Sequence, residues 1–451
     1  MHNPGGAVTK LHGWGRFQEW DCQVHAPASE QELIRLVRSG DSLIARGCGR
    51  AYGDSAINPA CTIDMRRLNR VLSFEQDSGL LTAEAGAMLG DLIAQFLPHG
   101  WFFPVTPGTK FVTLGGMAAA DVHGKNHHRV GSLGRFVEWI ELIDAHGRLI
   151  RASPSENPRL FEWTLGGMGL TGIIARLAVR LQPVETGWIR QKCIRSKNLG
   201  ETLDAFDAHD DSTYSVAWID SLGCGAHLGR SVLLLGEHAR RDELPDSLGR
   251  RPFDVPGRSH LSVPFNLPKI TLNRLTLKAF NALYFHAGGR AQWIDWDRYF
   301  YPLDALHNWN RLYGSAKLVQ FQCVLPLEQS RAGLAELLQA IASSGQGSFL
   351  SVLKRFGSGK KDGAENTLSF PMSGYTLALD FPATPGVLKL LNQLDEIVLS
   401  CGGHFYLAKD ARMSAQSFAR SEHRLEAFRQ FRSSCSAAER FSSMQSERLG
   451  L

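Results

Sequence analysis

The densest group of chemically useful side chains runs from Asp121 to His128. Its order is Asp-Val-His-Gly-Lys-Asn-His-His, so one carboxylate, three imidazoles, an amine and an amide fall within eight residues. Such a group can ligate a metal, bind a polar ligand or move protons. The adjacent side chains of His127 and His128 point apart, which argues against a metal. We therefore expect no metal site here.

Two glycine-rich stretches precede or overlap this group. The first, residues 46–55, reads Arg-Gly-Cys-Gly-Arg-Ala-Tyr-Gly-Asp-Ser, and the second runs from Thr106 through Gly115 and Gly116 to His128. Because glycine has no side chain, backbone N–H groups in such loops can approach a bulky anionic ligand closely. Together the two stretches predict the walls of a dinucleotide site, with FAD as the cofactor.

The elements around the first loop are strands. Residues 42–46 form a short apolar run before it, and strands are predicted at 61–65, 72–74 and 80–84 before a helix at 89–97. A Rossmann site needs a helix directly after its glycines, to aim the helix N-terminus at the pyrophosphate. This order therefore predicts a different FAD fold, in which loop amides hold the phosphates.

The remaining periodic segments complete an α+β prediction with an antiparallel second sheet. Helices are predicted at 28–37 with Ser29 as the cap, 115–120 with Thr113 as the cap, 327–343 and 385–400. Strands are predicted at 137–143, 148–150, 173–181, 214–219, 231–235, 320–326, 348–355 and 375–381. The composition changes near Gly187, which predicts an FAD-binding domain at 1–187 and a substrate domain at 188–402.

Composition excludes several classes of protein. The 451 residues, 43% hydrophobic and 21% charged, predict a globular protein of two or three domains. The net charge of +5 is spread along the chain, so we expect no nucleic acid binding. Eight scattered cysteines without a CxxC pair predict reduced thiols. With no signal-peptide pattern and no apolar run of about 20 residues, we expect a cytoplasmic protein, soluble or peripheral at the inner face of the membrane.

A basic and apolar stretch lies between residues 252 and 290. Within it, residues 266–285 mix Lys269, Arg274 and Lys278 with leucines and phenylalanines. One interpretation is an amphipathic element at a lipid headgroup boundary. The other is an ordinary mobile lid over the site.

Four of these motifs resemble the FAD-binding half of the vanillyl-alcohol-oxidase-type flavoproteins. The hexapeptide His123–His128, with its flanking spacing, is further similar to the decaprenylphosphoryl-β-D-ribose 2′-oxidase family. The resemblance implies a two-domain fold whose C-terminal segment, residues 403–451, returns to the FAD-binding domain. The matching segments are Arg50-Ala51-Tyr52-Gly53-Asp54, Pro107-Gly108-Thr109, His123-Gly124-Lys125-Asn126-His127-His128 and Gly169-Leu170-Thr171-Gly172.

The resemblance also implies the cofactor site. Many members of the superfamily attach FAD covalently through a histidine of the first loop; since residues 46–55 contain none, non-covalent FAD is predicted. The expected FAD-binding residues are Arg46, Gly47, Gly49, Arg50, Ala51, Tyr52, Gly53, Asp54, Gly108, Thr113, Leu114, Gly115, Gly116, Ala120, Asp121, His123, Gly124, Asn126, Ile174, Tyr406 and Lys409.

The chemistry implied is oxidation of a secondary alcohol by hydride transfer to flavin N5. Lys409, with Tyr406 beside it, is expected to stabilise negative charge near N1 and C2=O, and His123 is a candidate acceptor of the hydroxyl proton. The expected substrate residues are Tyr52, Lys125, Gln320, Gln322, Val352, Lys354, Thr376 and Ala378. Mycobacterial members carry a cysteine at the position of Ala378, so thiol-directed inhibition is not expected here.

Three functions follow as alternatives. The first is oxidation of the 2-hydroxyl of a polyprenyl-phosphoryl ribose to a 2-keto sugar, which a separate short-chain reductase would complete as a 2-epimerisation. The second is oxidation of a soluble sugar, alditol or aldonolactone. The third is a flavin-binding scaffold in a membrane glycan-assembly complex. His123–His128 and the basic stretch favour the first.

Overall fold

A computed structural model describes residues 7–39, 42–255, 261–263, 265, 274–287, 292–357 and 367–451. Residues 266–273 of the predicted amphipathic stretch at 266–285 lie outside these ranges, and its described part belongs to a helix at Arg274–Ala287. None of the helices in the described ranges has both the length and the hydropathy needed to cross a bilayer.

In the described ranges the N-terminal region carries two larger sheets and one two-stranded sheet. Its strands are β1 (Ala7–His12), β2 (Glu19–His25), β3 (Ile44–Arg46), β4 (Thr62–Asp64), β5 (Val71–Glu75), β6 (Leu80–Glu84), β7 (Trp101–Phe102), β8 (Val137–Ile143), β9 (Leu149–Ala152), β10 (Ile173–Arg180) and β11 (Gln182–Pro183). A four-stranded mixed sheet has the order β1-β2-β4-β3, and a five-stranded antiparallel sheet has the order β5-β6-β10-β8-β9.

The described part of the N-terminal region also has five α-helices. They are α1 (Glu30–Arg38), α2 (Leu89–Phe96), α3 (Leu114–Ala119), α4 (His127–Val130) and α5 (Pro158–Thr164). The predicted caps of α1 and α3 are confirmed: Ser29 Oγ accepts a hydrogen bond from Glu32 N, and Thr113 Oγ1 accepts one from Gly116 N. Each bond satisfies a backbone donor that a helix start leaves free, and so fixes where the helix begins.

The second region is built on one eight-stranded antiparallel sheet, with the order β16-β12-β14-β13-β19-β20-β18-β21. The strands are β12 (Trp188–Ser196), β13 (Tyr214–Ile219), β14 (Ser231–His238), β15 (Leu261–Ser262), β16 (Gln292–Asp295), β17 (Leu306–His307), β18 (Leu318–Pro326), β19 (Ser351–Phe356), β20 (Gly374–Pro382) and β21 (His404–Phe405). The short strands β15 and β17 pair with each other outside this sheet.

Three of the described helices cover one face of this sheet, and the site lies on the other face. The helices of the region are α6 (Leu199–Ala208), α7 (Asp246–Gly249), α8 (Arg274–Ala287), α9 (Trp296–Phe300), α10 (Leu327–Ser344) and α11 (Pro385–Ser400). Leucines of α6, α10 and α11 pack on alternate strand residues such as Leu353 and Leu377. Because side chains alternate along a strand, Val352 and Lys354 point to the opposite face.

The C-terminal segment packs on the N-terminal region. It contains α12 (Ala415–Ser421), α13 (Leu425–Ser434), α14 (Ala437–Arg440) and α15 (Met444–Leu449). Phe441 forms a parallel bridge with Leu43 and is buried in the core beneath α1. Phe428 contacts Trp163 of α5, with ring centroids 5.2 Å apart. These contacts are those that a segment returning to the FAD-binding domain would make.

The sheet boundaries differ slightly from the predicted domains. The eight-stranded sheet begins at Trp188, as the predicted substrate domain does, but its last strand β21 lies just beyond residue 402. In addition, α9 places Trp296, Tyr299 and Phe300 in the core of the N-terminal region. The division at 187 and 402 therefore stays a prediction, and the two regions share a hydrophobic core.

Candidate active site

One cavity of about 570 Å³ lies between the glycine loops and the face of the eight-stranded sheet opposite to α6, α10 and α11. Its volume falls in the usual range for ligand sites. Residues of both glycine stretches form one wall, and side chains of β13, β18, β19 and β20 form the other.

The first wall is largely bare backbone. A Cβ atom on Gly47 would lie 2.1 Å from Thr113 Oγ1, so the first glycine stretch touches the second where only glycine fits. A Cβ on Gly115 would lie 2.6 Å from the Cβ of Ala85, which follows β6, so this close contact also requires glycine. A Cβ on Gly108 would meet no atom within 4 Å and would enter the cavity. This cradle fits the dinucleotide that the sequence predicts, since backbone N–H groups can reach its phosphates.

Most of the predicted FAD-binding residues line the cavity. They are Gly47, Gly49, Arg50, Ala51, Tyr52, Gly108, Thr113, Gly115, Gly116, Ala120, His123, Gly124, Ile174, Tyr406 and Lys409. Six predicted residues do not line it: Arg46, Gly53, Asp54, Leu114, Asp121 and Asn126.

These six residues contact other parts of the protein instead. Asp54 forms an ion pair with Arg448, and Gly53 packs against the backbone of Asp410. The Arg46 guanidinium donates to the carbonyl oxygens of His12 and Ala56.

The other three lie behind the second glycine stretch. Asp121 accepts hydrogen bonds from Ser132, Ser369 and the N–H of Gly134. Asn126 Nδ2 donates to the Pro104 carbonyl oxygen at 2.7 Å, and Leu114 is fully buried in the core. Their side chains hold the loops in shape from outside the cavity.

The second wall carries the predicted substrate residues. Val352 lies opposite Ala378, which lies opposite Gln322, so these three side chains share one face of adjacent strands. Gln320, Lys354, Lys125 and Tyr52 also line the cavity. Thr376 does not: its hydroxyl donates to the Cys323 carbonyl oxygen at 2.8 Å and accepts from Gln322 Nε2 at 3.2 Å.

Lys409 lies in a buried polar group at one side of the cavity. Its Nζ is 4.3 Å from the centroid of the Tyr52 ring, a cation–π distance. Gln320 Nε2 donates to the Tyr52 hydroxyl and to Asp380 Oδ1. Burial lowers the pKa of Lys409 and raises the pKa of Asp380, and the attraction between the two opposes both shifts.

His123 lies in a second polar group. Its Nε2 is 3.1 Å from Gln322 Nε2, and its Nδ1 is 3.2 Å from Lys354 Nζ. Burial and the nearby Lys354 hold the pKa of His123 well below its usual range, so the ring is neutral at pH 7. Burial and Lys409 lower the pKa of Lys354 to about 7.

Lys125 and Tyr406 complete the site. Lys125 Nζ donates to the Tyr299 carbonyl oxygen and lies over the Tyr299 ring, and burial lowers its pKa to about 7. The Tyr406 hydroxyl donates to the Ala120 carbonyl oxygen at 3.0 Å, and its ring stacks on Phe370. The Tyr406 side chain therefore fixes the second glycine stretch against the C-terminal segment.

Sequence reasoning missed several residues of this site. Asp380 shares a predicted strand with Thr376 and Ala378, but the sequence assigns it no role. The reason is that Lys409, the buried lysine that interacts with it, comes from a distant segment. Sequence reasoning also missed an apolar part of the cavity formed by Val216, Trp218, Leu234 and Tyr284. The alternation of Val216 and Trp218 along β13 places both on one face, but only the structure shows that this face meets the cavity.

The part of the chain that carries the glycine stretches is similar to known FAD-binding domains. The pattern described as "FAD binding domain" matches residues 23–153, which include both glycine stretches. Residues 23–153 therefore form an FAD-binding domain, as the glycine cradle predicts.

Full-length similarity then defines the family. The chain is 36% identical to decaprenylphosphoryl-β-D-ribose oxidase of Mycolicibacterium smegmatis, over 98% of this chain and 97% of that protein. It belongs to that family of FAD-dependent oxidoreductases. L-gulonolactone oxidase of Bos taurus is 30% identical over 44% of this chain and 47% of its own length. Membership of an enzyme family argues against the scaffold hypothesis.

Proposed function

We propose that this protein oxidises the 2-hydroxyl of a polyprenyl-phosphoryl ribose to the 2-keto sugar, as the first half of a 2-epimerisation. The observation that carries the proposal is the composition of the cavity: three lysines and two glutamines lie beside an apolar wall. Lysines suit a phosphate, amides suit sugar hydroxyls, and the apolar wall suits the first isoprene units. The full-length similarity to an oxidase named for a lipid-linked ribose supports the same substrate.

Bound FAD supplies the oxidant, because it accepts hydride from the carbinol carbon. The glycine stretches would hold it through backbone N–H groups, and Lys409, which lines the same cavity, would provide a positive charge. Gln320 and Gln322 orient the sugar hydroxyls, while Lys125 and Lys354 offer N–H donors to the substrate. Val352 and Ala378 leave room for the pentose between these groups.

A separate short-chain reductase is proposed to return hydride to the 2-keto product. An epimerisation needs this second step, because the oxidation leaves a planar carbonyl that must be reduced from the other face.

Contact with a membrane surface is proposed as the source of the lipid. Asn281 and Tyr284 hold one face of α8 on the second region, through Asp220 and Trp218. Leu283 of α8 points away and is 73% exposed, and Phe265 is 64% exposed. Sedimentation with vesicles of anionic phospholipid tests this contact. Binding that survives Leu283→Glu would contradict it.

The second candidate is a soluble sugar or aldonolactone, favoured by the partial similarity to L-gulonolactone oxidase. Anaerobic reduction of the bound FAD separates the two. Farnesylphosphoryl-β-D-ribose should bleach the flavin, whereas free ribose and L-gulonolactone should not. The matched 2-deoxyribose lipid should bind without bleaching it, because it lacks the reacting hydroxyl. Bleaching by the small sugars alone would overturn the proposal in favour of the second candidate.

A further inference from the structure

A chain of hydrogen bonds with a fixed direction leads from the backbone of β18 to the side chain of Gln322. It starts at the Cys323 carbonyl oxygen, which can only accept. Thr376 Oγ1 lies 2.8 Å from it and donates its one proton there. The Thr376 hydroxyl can then only accept from Gln322. The side-chain atom of Gln322 that faces it at 3.2 Å is therefore the amide nitrogen, Nε2.

The second N–H group of this nitrogen is engaged as well. Gln322 Nε2 lies 3.1 Å from His123 Nε2, which must accept and so carries no proton. Burial holds the pKa of His123 well below its usual range, so the ring is neutral and its one N–H group lies on Nδ1. This group faces Lys354 Nζ at 3.2 Å, where the neutral amine accepts with its lone pair. Only N–H donors of Lys354 then remain for a ligand.

Gln322 therefore presents its carbonyl oxygen, and no free N–H group, to the cavity that it lines. In the described part of the chain no donor lies within hydrogen-bond distance of Gln322 Oε1, and this atom is not among the unpaired polar atoms that are closed to solvent. An accessible carbonyl oxygen without a partner can accept from a donor of the ligand. The same side chain cannot donate to the ligand, because both of its N–H groups are in use.

We propose that Gln322 Oε1 accepts a hydrogen bond from a sugar hydroxyl that the reaction leaves intact, and that Thr376 holds the amide in this orientation. The inference rests on the alcohol oxidation proposed above. A hydroxyl that is oxidised must give its proton to a base, and an amide oxygen is too weak a base to take it. The hydroxyl at Gln322 is therefore a second one, which on a ribose oxidised at C2 is the 3- or the 5-hydroxyl.

Thr376 is a positioning residue, since its side chain lies outside the cavity and acts through Gln322. A sugar without the second hydroxyl would leave Gln322 Oε1 unpaired in the complex, and a polar group left without its partner costs more than the bond itself contributes. Fluorine in place of the hydroxyl gives no compensation, because it has no proton to donate. The site therefore selects sugars by a hydrogen-bond donor that is distinct from the reacting group.

Nitrogen NMR of His123 in the FAD-loaded protein tests the chain without any substrate. We expect a neutral ring protonated on Nδ1 in the wild-type protein and in Thr376→Ser, which keeps the hydroxyl. Thr376→Val has a similar shape but no hydroxyl, so the Gln322 amide can turn over and the preference for Nδ1 should weaken. A ring protonated on Nε2 in the wild-type protein, or an unchanged preference in Thr376→Val, would overturn the inference. Because no sugar is used, this result is independent of the proposed substrate.

Substrate analogues test the hydroxyl itself. Anaerobic reduction of the bound FAD is measured with farnesylphosphoryl-β-D-ribose, with its 3-deoxy and 5-deoxy analogues, and with the analogues that carry fluorine at those positions. One deoxy lipid should reduce the flavin about 10- to 100-fold less efficiently than the parent, and its fluoro counterpart should do no better. If the parent reduces the flavin and both deoxy lipids match it, the proposed function stands and this inference fails. A fluoro lipid that restores the efficiency of the parent would also overturn it.

Three variants connect this selectivity to the named side chains. Thr376→Val should bring the efficiencies for the parent and the discriminated deoxy lipid to within about threefold, whereas Thr376→Ser should keep the wild-type ratio. Gln322→Met, which has a similar length but no carbonyl oxygen, should lose the ratio while it keeps its FAD. A wild-type ratio in Thr376→Val or in Gln322→Met would overturn the assignment.

Discussion

Lys409 and Asp410 are neighbours in the chain, yet they belong to two different clusters of buried charge. Asp410 and Asp54 both form ion pairs with Arg448, at 2.9 and 2.8 Å. Lys409 faces the cavity, where Lys125 and Lys354 also lie, and the described residues give these three lysines no ion pair. Direct ion pairs compensate the charges of the Arg448 cluster, whereas the charges of the lysine cluster have no such pairs among the described residues.

The difference separates scaffold from chemistry. Arg448 joins α15 to the first glycine loop and to the turn after Lys409, so its cluster fixes the position of Lys409. In the lysine cluster, Asp380 attracts Lys409 without a direct ion pair, and a bound anion or developing negative charge would offset more of the cost of burying positive charge beside the cavity. Breaking the first cluster should lower stability, and breaking the second should lower activity.

The largest expected effect is on stability. Arg448→Met leaves two buried carboxylates without their cation and should lower the free energy of unfolding by about 3–5 kcal/mol. The measurement is chemical denaturation of the FAD-loaded protein, with Arg448→Lys as the conservative control. FAD reduction in the folded fraction should change by less than about tenfold. A variant that keeps its stability but loses activity would contradict the assignment of the Arg448 cluster to stability.

The next effect is on the reaction. Lys409→Met should slow FAD reduction by about 100- to 1000-fold, because it removes the positive charge that we assign to the flavin. FAD content and melting temperature should be retained. Lys389→Met, at an exposed position of α11, is the control and should behave as wild type. Loss of stability with normal reduction would contradict the assignment.

Asp380→Asn should act through Lys409. The carboxylate supports the charged form of Lys409, so its removal should lower the pKa of that lysine further. If Lys409 works as an ammonium, activity is lost as the pH rises through the pKa of Lys409. The variant should therefore lose its activity at a lower pH than the wild-type protein does. We expect a rate about tenfold lower at pH 8 and a smaller difference at pH 6. An unshifted alkaline limb would show that Asp380 acts otherwise.

The smallest effect is a gain in stability. The pKa of Lys354 is lower in the folded protein than in the unfolded chain, where the usual value is 10.5. The unfolded chain therefore binds more protons between about pH 7 and 10.5, and stability from this group rises with pH in that window. Lys354→Met should stabilise the protein by about 1 kcal/mol at pH 7 and less at pH 10. A larger gain at pH 10 than at pH 7 would contradict this.

The sequence predicts the glycine cradle better than the facing wall. A glycine-rich loop can be identified from the sequence without knowing what it contacts, and Gly47, Gly108 and Gly115 line the cavity. Helix α11 begins and ends at the predicted residues, because Thr384 caps it and Pro385 starts it.

What the sequence does not predict depends on distant residues. The predicted strand at 348–355 starts only at Ser351, because the Ser348 hydroxyl bonds the backbone of Leu350 and Asp380 instead of continuing the ladder. The sequence does not predict β1 and β2, because most of their residues are exposed or half-buried and form no apolar run. The ion pair between Asp54 and Arg448 joins residues almost 400 positions apart, so the loop motif alone suggested a cofactor contact for Asp54.

The role of the lysine cluster is tested most directly by the phosphate of the substrate. Single-turnover reduction of the bound FAD should be measured anaerobically with farnesylphosphoryl-β-D-ribose and with an uncharged analogue whose phosphate oxygen is methylated. The account predicts that the uncharged lipid reduces the flavin at least about 100-fold less efficiently at equal concentration. Equal efficiency for the two lipids would contradict it, because the uncompensated lysines would then have no anion to bind.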